Sequence, residues 1–303
     1  MYRVFAVRAG YRRLAAMAAL LLLLATIGFA GTALQATQTV ATADRVVIPI
    51  IMYHGILKDA DRQGQYVISP ALFESDLAYI REAGYTTVVM ADLLAYVRDG
   101  TDLPEKPIIL TFDDGYYNNY AYAYPLLKQY GMRAVLSPVV AWSEFYSNDP
   151  AEADRVLYSH VTWAQLREMA DSGVLEIQNH SYDMHKNKAG QRKGTLKLAK
   201  ETLAQYHATL KDDLSKAQAM LTEQAGVTPT TFTYPFGAMS REAIPVLEEL
   251  GFSATLTCEG RLNTVTRDPA CLWGLGRYLR PAGSNSATYF TPIFRAADAA
   301  RTH

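Results

Sequence analysis

The residues of this chain best suited to chemistry are two adjacent carboxylates and a pair of histidines. Asp113 and Asp114 emerge from one apolar run, and His180 and His185 follow another. Adjacent carboxylates repel each other unless a cation or a proton lies between them. One aspartate and two histidines are the kind of ligands that hold a catalytic zinc-type ion and leave a fourth position for water. The pattern therefore predicts metal chemistry, and the alternative is an ordinary turn with two incidental histidines.

The elements that must position these residues alternate between strand-like and helix-like segments. Strands are predicted at 46–52, 86–90, 108–112, 134–140, 174–177, 230–233 and 252–257. Helices are predicted between them, from Ser69 to Gly84, at 92–98, at about 119–130, from Thr162 to near Gly173, at 196–225, and from Ser240 to Gly251. Repeated βα units imply a parallel sheet that is either open or closed into a barrel.

The positions of the candidate residues favour the barrel. His54, Asp113, His180 and the segment 234–237 all lie just past the carboxyl ends of predicted strands. A (β/α) barrel collects its active site there from several strands, whereas an open doubly wound sheet concentrates its ligand groups at one switch point. The chain also lacks a glycine-rich phosphate loop that would mark such a point. We therefore predict an α/β fold of the barrel type.

Composition limits the class of protein and its compartment. The 303 residues are 50% hydrophobic and 19% charged with a net charge of -1, which predicts one folded domain and argues against nucleic-acid binding and disorder. Four arginines within the first 13 residues precede an apolar run at 14–30. This is typical of a signal peptide or an uncleaved membrane anchor. We expect residues 1–43 to be that segment, and 44–303 to be an extracytoplasmic catalytic domain, either membrane-anchored or secreted.

The two cysteines, Cys258 and Cys271, lie close together in the sequence. In an exported protein such a pair can form a disulfide, and the alternative is two small buried thiols. Neither has a neighbouring CxxC spacing or histidine that would indicate a metal ligand. The sequence leaves the choice between disulfide and thiols open.

With these residues in view, the chain resembles the polysaccharide deacetylase family, also called the NodB-homology family or carbohydrate esterase family four. The resemblance covers about residues 46–281, and its most specific motif is Thr-Phe-Asp-Asp-Gly at 111–115. It implies a single domain built as a distorted (β/α) barrel of about seven parallel strands. It also implies that Asp113 is the catalytic base, and that Asp114, His180 and His185 bind a divalent ion. Zinc is the expected ion, with cobalt and nickel as alternatives.

Three features depart from the usual family pattern. The spacing from His180 to His185 resembles the branch that deacetylates poly-N-acetylglucosamine of biofilm matrix. Thr233 stands where the family has an arginine that orients the base, so we expect Asp113 to be oriented differently or to be less active. The usual C-terminal histidine is absent, and in that branch the corresponding histidine comes first. His54 is therefore the candidate general acid, and the alternative is a buried structural histidine.

The residues expected to contact substrate are Tyr116, Tyr182, Tyr234 and Phe236, whose rings could stack on sugars; ordinary packing is the alternative. Arg277 and Trp273 are further candidates to orient the acid or line the groove. The resemblance implies a metal-dependent hydrolase that removes acetyl groups from N-acetylated glycans outside the cytoplasmic membrane. The alternatives are an O-acetyl esterase and a catalytically impaired glycan-binding protein that retains the metal. The polymer and the oligomeric state stay open, and a membrane is a partner only if the N-terminal segment is uncleaved.

Overall fold

The structure, a computed structural model, describes residues 45–188 and 191–302. The predicted signal or anchor segment, residues 1–43, lies outside the described residues. Within the described ranges, no helix combines the length and the apolar character needed to cross a membrane.

The fold alternates strands with helices. The strands are β1 (Arg45–Ile48), β2 (Ile50–Tyr53), β3 (Gly55–Ile56), β4 (Val67–Ile68), β5 (Thr86–Thr87), β6 (Pro107–Asp114), β7 (Ala134–Pro138), β8 (Leu175–Ile177), β9 (Thr231–Thr233), β10 (Ala254–Leu256), β11 (Asn263–Thr266) and β12 (Tyr278–Leu279). The α-helices are α1 (Pro70–Glu82), α2 (Met90–Asp99), α3 (Tyr124–Tyr130), α4 (Val140–Asn148), α5 (Trp163–Asp171), α6 (Leu203–Met220), α7 (Ile244–Glu249) and α8 (Ser286–Arg301). Single π-helical turns adjoin α3 (Asn119–Ala123) and α6 (Leu221–Ala225), and short 3-10 turns lie at Ala60–Arg62, Pro235–Gly237, Arg241–Ala243 and Pro269–Leu272.

A parallel sheet forms the centre of the fold. Its strands run in the order β12, β2, β6, β7 and β8, with β5 also paired to β6. All eight residues of β6 are buried, as expected for a central parallel strand covered on both faces. Strands β9 and β10 form a second parallel pair. Parallel bridges join Asn179 to Phe232 and Leu256 to Leu275. The predicted α/β class with a central parallel sheet is confirmed, and closure into a barrel of about seven strands stays a prediction.

The first predicted strand is divided into two. Residues 45–48 pair antiparallel with β11, whereas residues 50–53 join the central sheet beside β6. Pro49 lies between the two segments and has no backbone N–H to donate to a ladder, which explains why the pairing changes there. As a result β2 ends at Tyr53 and delivers His54 beside the end of β6.

The helix boundaries follow the predicted caps in most places. Ser69 accepts a hydrogen bond from the backbone N–H of Leu72 at 3.0 Å, and Thr162 forms a capping box with Gln165. The helix predicted at 196–225 begins only at Leu203, because the capping box is made by Thr202 with its partner three residues later. The sequence analysis did not predict α4 or α8.

A buried ion pair joins α1 and α8 to the central sheet. Arg280, just after β12, binds Asp76 of α1 through Nε at 2.8 Å and Nη2 at 2.9 Å. Tyr53 donates to the same carboxylate at 3.1 Å, and Ser286 at the start of α8 donates to it at 2.7 Å. Because every member is buried, this network holds α1 and the start of α8 against the central sheet.

Candidate active site

The two adjacent aspartates end β6 and turn toward different partners. The backbone of Asp114 is in the left-handed region at φ 69°, and Gly115 follows at φ 75°. A Cβ on Gly115 would lie 2.7 Å from the Cβ of Pro138, so only glycine fits beside the end of β7. This turn lets Asp113 reach Arg277 while Asp114 reaches the two histidines.

Asp114, His180 and His185 form a compact group that could hold a metal ion. Their ligand atoms lie within 4.8 Å of one another, and Asp114 Oδ1 is 3.5 Å from Nε2 of His180 and 3.2 Å from Nε2 of His185. Asp114 Oδ1 is buried and has no hydrogen-bond partner, as expected of an oxygen that serves a cation. Nδ1 of His180 lies 2.7 Å from the carbonyl oxygen of Thr233, which leaves Nε2 available as a ligand. These donors suit zinc and similar divalent ions.

The electrostatics of the group favour an ionised Asp114. Burial raises the pKa of this carboxyl, but the interaction with His180 and the charges of the neighbouring histidines outweigh it and hold the pKa well below its ordinary value. Burial is the largest influence on His185 and lowers its pKa, whereas the neighbouring Asp114 and Asp113 outweigh burial at His180 and raise its pKa. An ionised carboxylate and a neutral imidazole are the protonation states in which these side chains bind metals.

The loop between the two histidines is shaped by its own hydrogen bonds and by Asp213 of α6. Ser181 has a left-handed backbone at φ 76°, and its hydroxyl accepts the N–H of Met184 at 3.0 Å. The carboxylate of Asp213 accepts the N–H of Tyr182 at 2.8 Å and that of Asp183 at 2.9 Å. The four intervening residues therefore fold into a fixed turn that brings both histidine rings to Asp114.

Asp113 is held by Arg277, so it is oriented by a different residue from the arginine that Thr233 replaces. Nη1 of Arg277 donates to Oδ1 at 2.6 Å and Nη2 donates to Oδ2 at 2.8 Å. Burial raises the pKa of Asp113, but the guanidinium outweighs burial and lowers it from the ordinary value. The hydroxyl of Thr233 instead forms a hydrogen bond with the hydroxyl of Ser137 at 2.8 Å.

His54 lies beside Asp113. Its Nε2 is 4.0 Å from Oδ2 of Asp113, and its ring meets the edge of Tyr66 with centroids 4.9 Å apart. Burial is the largest influence on the imidazole and lowers its pKa. Nδ1 is buried with no hydrogen-bond partner, which differs from the usual environment of a purely structural histidine.

A cleft of about 880 Å³ opens over these groups. Tyr116 and Phe236 line it, as expected for substrate contacts. Tyr234 is completely buried, so its ring cannot offer a face to a sugar, and this corrects the expectation for that residue. Tyr182 is absent from the lining and instead donates to Glu144 at 2.7 Å. The structure thus brings two of the four expected contacts to the cleft.

An aromatic cluster behind the histidines was not foreseen from the sequence. The ring of His160 lies between those of Tyr116, at 4.7 Å, and Trp142, at 4.3 Å. Burial lowers the pKa of His160 to about 4, so the ring is neutral at physiological pH. Trp142 in turn meets the ring of His185 edge-on at 5.4 Å. The cluster therefore packs against one candidate ligand through Trp142.

Three such ligands beside a second carboxylate, at the ends of parallel strands, are the donor set of a catalytic metal site that leaves one position open for water. The model of the polysaccharide deacetylase family matches residues 100–255, just over half of the chain. The chain belongs to this family.

Two proteins with named activities are similar to this chain in sequence. The chain is 29% identical over 234 residues to the poly-beta-1,6-N-acetyl-D-glucosamine N-deacetylase of Escherichia coli K12, covering 72% of this chain and 34% of that protein. It is 27% identical over 202 residues to the enzyme of the same name from Staphylococcus aureus MRSA252, covering 66% of this chain and 63% of that protein. The chain therefore spans about a third of the first relative and less than two thirds of the second.

Two solved structures have a fold similar to that of this chain. The de-N-acetylase from Aggregatibacter actinomycetemcomitans superposes with a TM-score of 0.68 and 26% identity, over 82% of this chain and 99% of that one. The deacetylase domain of BpsB from Bordetella bronchiseptica gives a TM-score of 0.60 at 26% identity, over 77% of this chain and 95% of the other.

Proposed function

We propose that this chain is a metal-dependent deacetylase that removes acetyl groups from poly-β-1,6-N-acetyl-D-glucosamine or a closely related N-acetylated glycan. The observation that carries the proposal is the Asp114, His180 and His185 group within 4.8 Å, next to a carboxylate that Arg277 holds. The substrate comes from the relatives, two of which are named for this activity. The chemistry of the cleft supports the same reaction.

An amide resists hydrolysis because its carbonyl is a weak electrophile and its nitrogen is a poor leaving group. A divalent ion held by Asp114, His180 and His185, with zinc as the expected ion, would polarise the acetyl oxygen and lower the pKa of water toward about 7. Asp113 is ionised, buried and fixed by Arg277, so it can take the proton of the attacking water. Its orientation needs no reorganisation at the moment of reaction.

His54 is proposed as the group that protonates the departing amine. It lines the same cleft as Asp113, with 4.0 Å between Nε2 and the nearer carboxylate oxygen. A base and an acid that line the same cleft allow the proton of water to be taken and a proton to be returned to nitrogen without either group moving far. An ester has a better leaving group and depends less on this acid.

An O-acetyl esterase is the second candidate activity, because the same site can attack esters. The third reading, a glycan-binding protein with impaired catalysis, rested on Thr233 and the missing arginine. Arg277 supplies that cation from another part of the chain, which favours a working base. For the place of action, the basic and apolar composition of the N-terminal 43 residues supports an extracytoplasmic location, with the chain anchored or secreted.

The test is acetate release from β-1,6-linked N-acetylglucosamine oligomers and from acetylated xylan, with zinc or cobalt added and with a chelator. We expect metal-dependent release from the first substrate. His54→Gln should lower release on the order of 100-fold from the amide and much less from the ester. His207→Gln is the matched control, because His207 lies on α6 and bonds the carbonyl of Glu242. Tight glycan binding by metal-loaded protein without acetate release from either substrate would contradict the proposed enzymatic activity.

A further inference from the structure

The cleft is lined by more positive than negative charge once the ion pairs are taken into account. Its lining includes two carboxylates, Asp113 and Asp114, and two side chains that are cationic at neutral pH, Arg62 and Lys193. Asp113 is bound by Arg277, and Asp114 lies against the two candidate histidine ligands. No other carboxylate is found among the described residues that line the cleft. The two cations therefore face no carboxylate in the cleft that is not already engaged.

Lys193 is the less compensated of the two cations. Nε of Arg62 lies 3.5 Å from Oδ2 of Asp59, whereas Lys193 is exposed and forms no ion pair within residues 45–188 and 191–302. Lys193 belongs to a basic segment, residues 186–200, which contains no acidic residue and six basic ones: Lys186, Lys188, Arg192, Lys193, Lys197 and Lys200. Two of the six are paired with carboxylates, Lys186 with Asp183 and Arg192 with Glu201. The basic segment therefore presents a local excess of positive charge beside the cleft.

The chain on both sides of Lys193 is held against the fold. Arg192 donates to the carboxylate of Glu201 through Nη1 at 3.0 Å and through Nη2 at 2.6 Å. Gly194 has φ 54°, and a Cβ there would lie 2.6 Å from the carbonyl oxygen of Pro235, so only glycine fits at this close approach. Because both neighbours are fixed, the backbone of Lys193 stays at the wall of the cleft. Its ammonium charge therefore stays near any ligand that the cleft binds.

The proposed reaction changes the charge of the glycan. Hydrolysis of the acetamide gives acetate and an amine, and an amine of this kind takes up a proton near neutral pH. Two like charges about 4 Å apart in water repel each other enough to change an equilibrium constant about fivefold. This repulsion extends over about 10 Å at about 0.1 M salt, so it needs no direct contact. An acetylated sugar is neutral and is not repelled.

We infer that Lys193 determines specificity by charge, so that the cleft favours fully acetylated glycan over glycan that carries amines. Each acetyl group that is removed places a positive charge on the chain, and the same stretch of glycan then binds less well. The product amine forms in the cleft that Lys193 lines, so the same repulsion favours its departure. Lys193 thus selects the substrate and limits inhibition by the product. This inference rests on the proposed function for the identity of the reaction.

The experiment compares two β-1,6-linked N-acetylglucosamine oligomers of the same length, one fully acetylated and one with all but one acetyl group removed. Both are titrated into zinc-loaded Asp113→Asn, the parent in which every variant is made, so that hydrolysis is slow during the measurement. The parent should bind the acetylated oligomer about fivefold more tightly at low salt, and this ratio should approach one in about 1 M salt. Lys193→Gln should bring the low-salt ratio close to one, and Lys193→Glu should invert it.

Two further variants separate the charge of Lys193 from its packing. Lys193→Arg keeps the charge and should keep the ratio. Lys128→Gln is the matched control, because it removes the same charge from an exposed position on α3 that does not line the cleft, and it should also keep the ratio. Equal affinity of the parent for both oligomers at low salt, or a ratio that Lys193→Glu leaves unchanged, overturns the inference. A wild type that releases no acetate, while the ratio changes as described, counts against the proposed function alone.

Discussion

Arg277 and Asp113 form a buried two-point ion pair at the centre of the site, with hydrogen bonds of 2.6 and 2.8 Å. Two parallel bonds fix both the direction of the carboxylate and the plane in which it lies. The guanidinium is itself held, because Nε donates to the carbonyl of Thr257 at 2.8 Å and Nη1 donates to the hydroxyl of Thr111 at 3.1 Å. The proposed base is therefore oriented by a cation that is anchored to β6 and to the residue that follows β10.

The first prediction concerns Arg277→Met. Loss of one partner leaves a buried carboxylate without its cation, so we expect the free energy of unfolding to fall by about 3–5 kcal/mol. Because the carboxylate is also no longer oriented, kcat of the folded fraction should fall on the order of 100-fold. Thermal melts and acetate release measure the two effects, and Arg277→Lys should recover part of both.

Arg280→Met is the matched control for this variant. Arg280 is equally buried and binds Asp76 at two points, but it does not contact the proposed base. We expect a similar loss of stability with a much smaller change in kcat of the folded fraction. If the two arginine variants lower kcat alike, Arg277 acts through the fold rather than through the orientation of Asp113.

The second prediction separates the roles of the adjacent carboxylates. Asp114→Asn and His185→Ala should each weaken zinc binding strongly, because each removes one of three ligands. Asp113→Asn should retain zinc, since that carboxylate is bound by Arg277 instead, while acetate release falls. Competition with a coloured chelator measures zinc affinity. Equal loss of zinc from Asp113→Asn and Asp114→Asn would overturn the division of roles.

Asp114 and His180 could be predicted from the sequence because one ends a strand and the other closely follows one. In a parallel sheet the carboxyl ends of the strands lie at one edge, so residues just past those ends meet whatever the order of the strands. Asp114 and His180 satisfy this rule, and His54 does as well. The sequence analysis did not predict that Pro49 divides the first strand. The division does not change where the strand ends, so the position of His54 was still predicted correctly relative to that end.

Arg277 could not be assigned in the same way, because it lies 164 positions from Asp113 in the chain. The residues around Arg277 form no motif that would mark its role. The sequence analysis therefore offered it only as a candidate to orient the acid or line the groove. The expected substrate contact of Tyr234 was wrong for a different reason. Tyr234 and Phe236 are two residues apart at a strand end, and the left-handed turn at Phe236 exposes one ring while the other enters the core. Backbone turns of this kind are set by packing rather than by periodicity.

The third prediction is a pH dependence of stability at Glu176, far from the chemistry. This carboxyl accepts the N–H of Met90 at 2.6 Å and that of Ala91 at 3.0 Å, at the start of α2. Burial outweighs these bonds and raises its pKa from 4.5 to about 7. The folded state therefore holds a proton that the unfolded state releases. The resulting stabilisation is complete below about pH 4.5 and is lost as the pH rises through about 7, with a span of about 3 kcal/mol.

Denaturant unfolding of the wild type and of Glu176→Gln at several pH values checks this prediction. The amide has no charge to bury, so the variant should gain stability relative to the wild type as the pH rises from about 4.5 to about 7. Glu223→Gln, at an exposed position, should show no such trend. If the difference in the free energy of unfolding between the wild type and Glu176→Gln does not change with pH, the two backbone N–H groups stabilise the ionised carboxylate as well as water does.

The fourth prediction concerns Asp213, which supports the loop between the candidate metal ligands without touching the ion. Its two oxygens accept the N–H groups of Tyr182 and Asp183, so Asp213→Ala leaves both donors without their partner. The turn that carries His185 should then loosen, and zinc affinity should fall by about 10- to 100-fold, the usual cost of losing support for a ligand. Asp212→Ala is the control, because this neighbouring residue is exposed on the same helix. Competition with a chelator, alongside circular dichroism to show that the fold is retained, measures the effect. Unchanged zinc affinity in folded Asp213→Ala would show that the turn is fixed by Ser181 and its own hydrogen bonds alone.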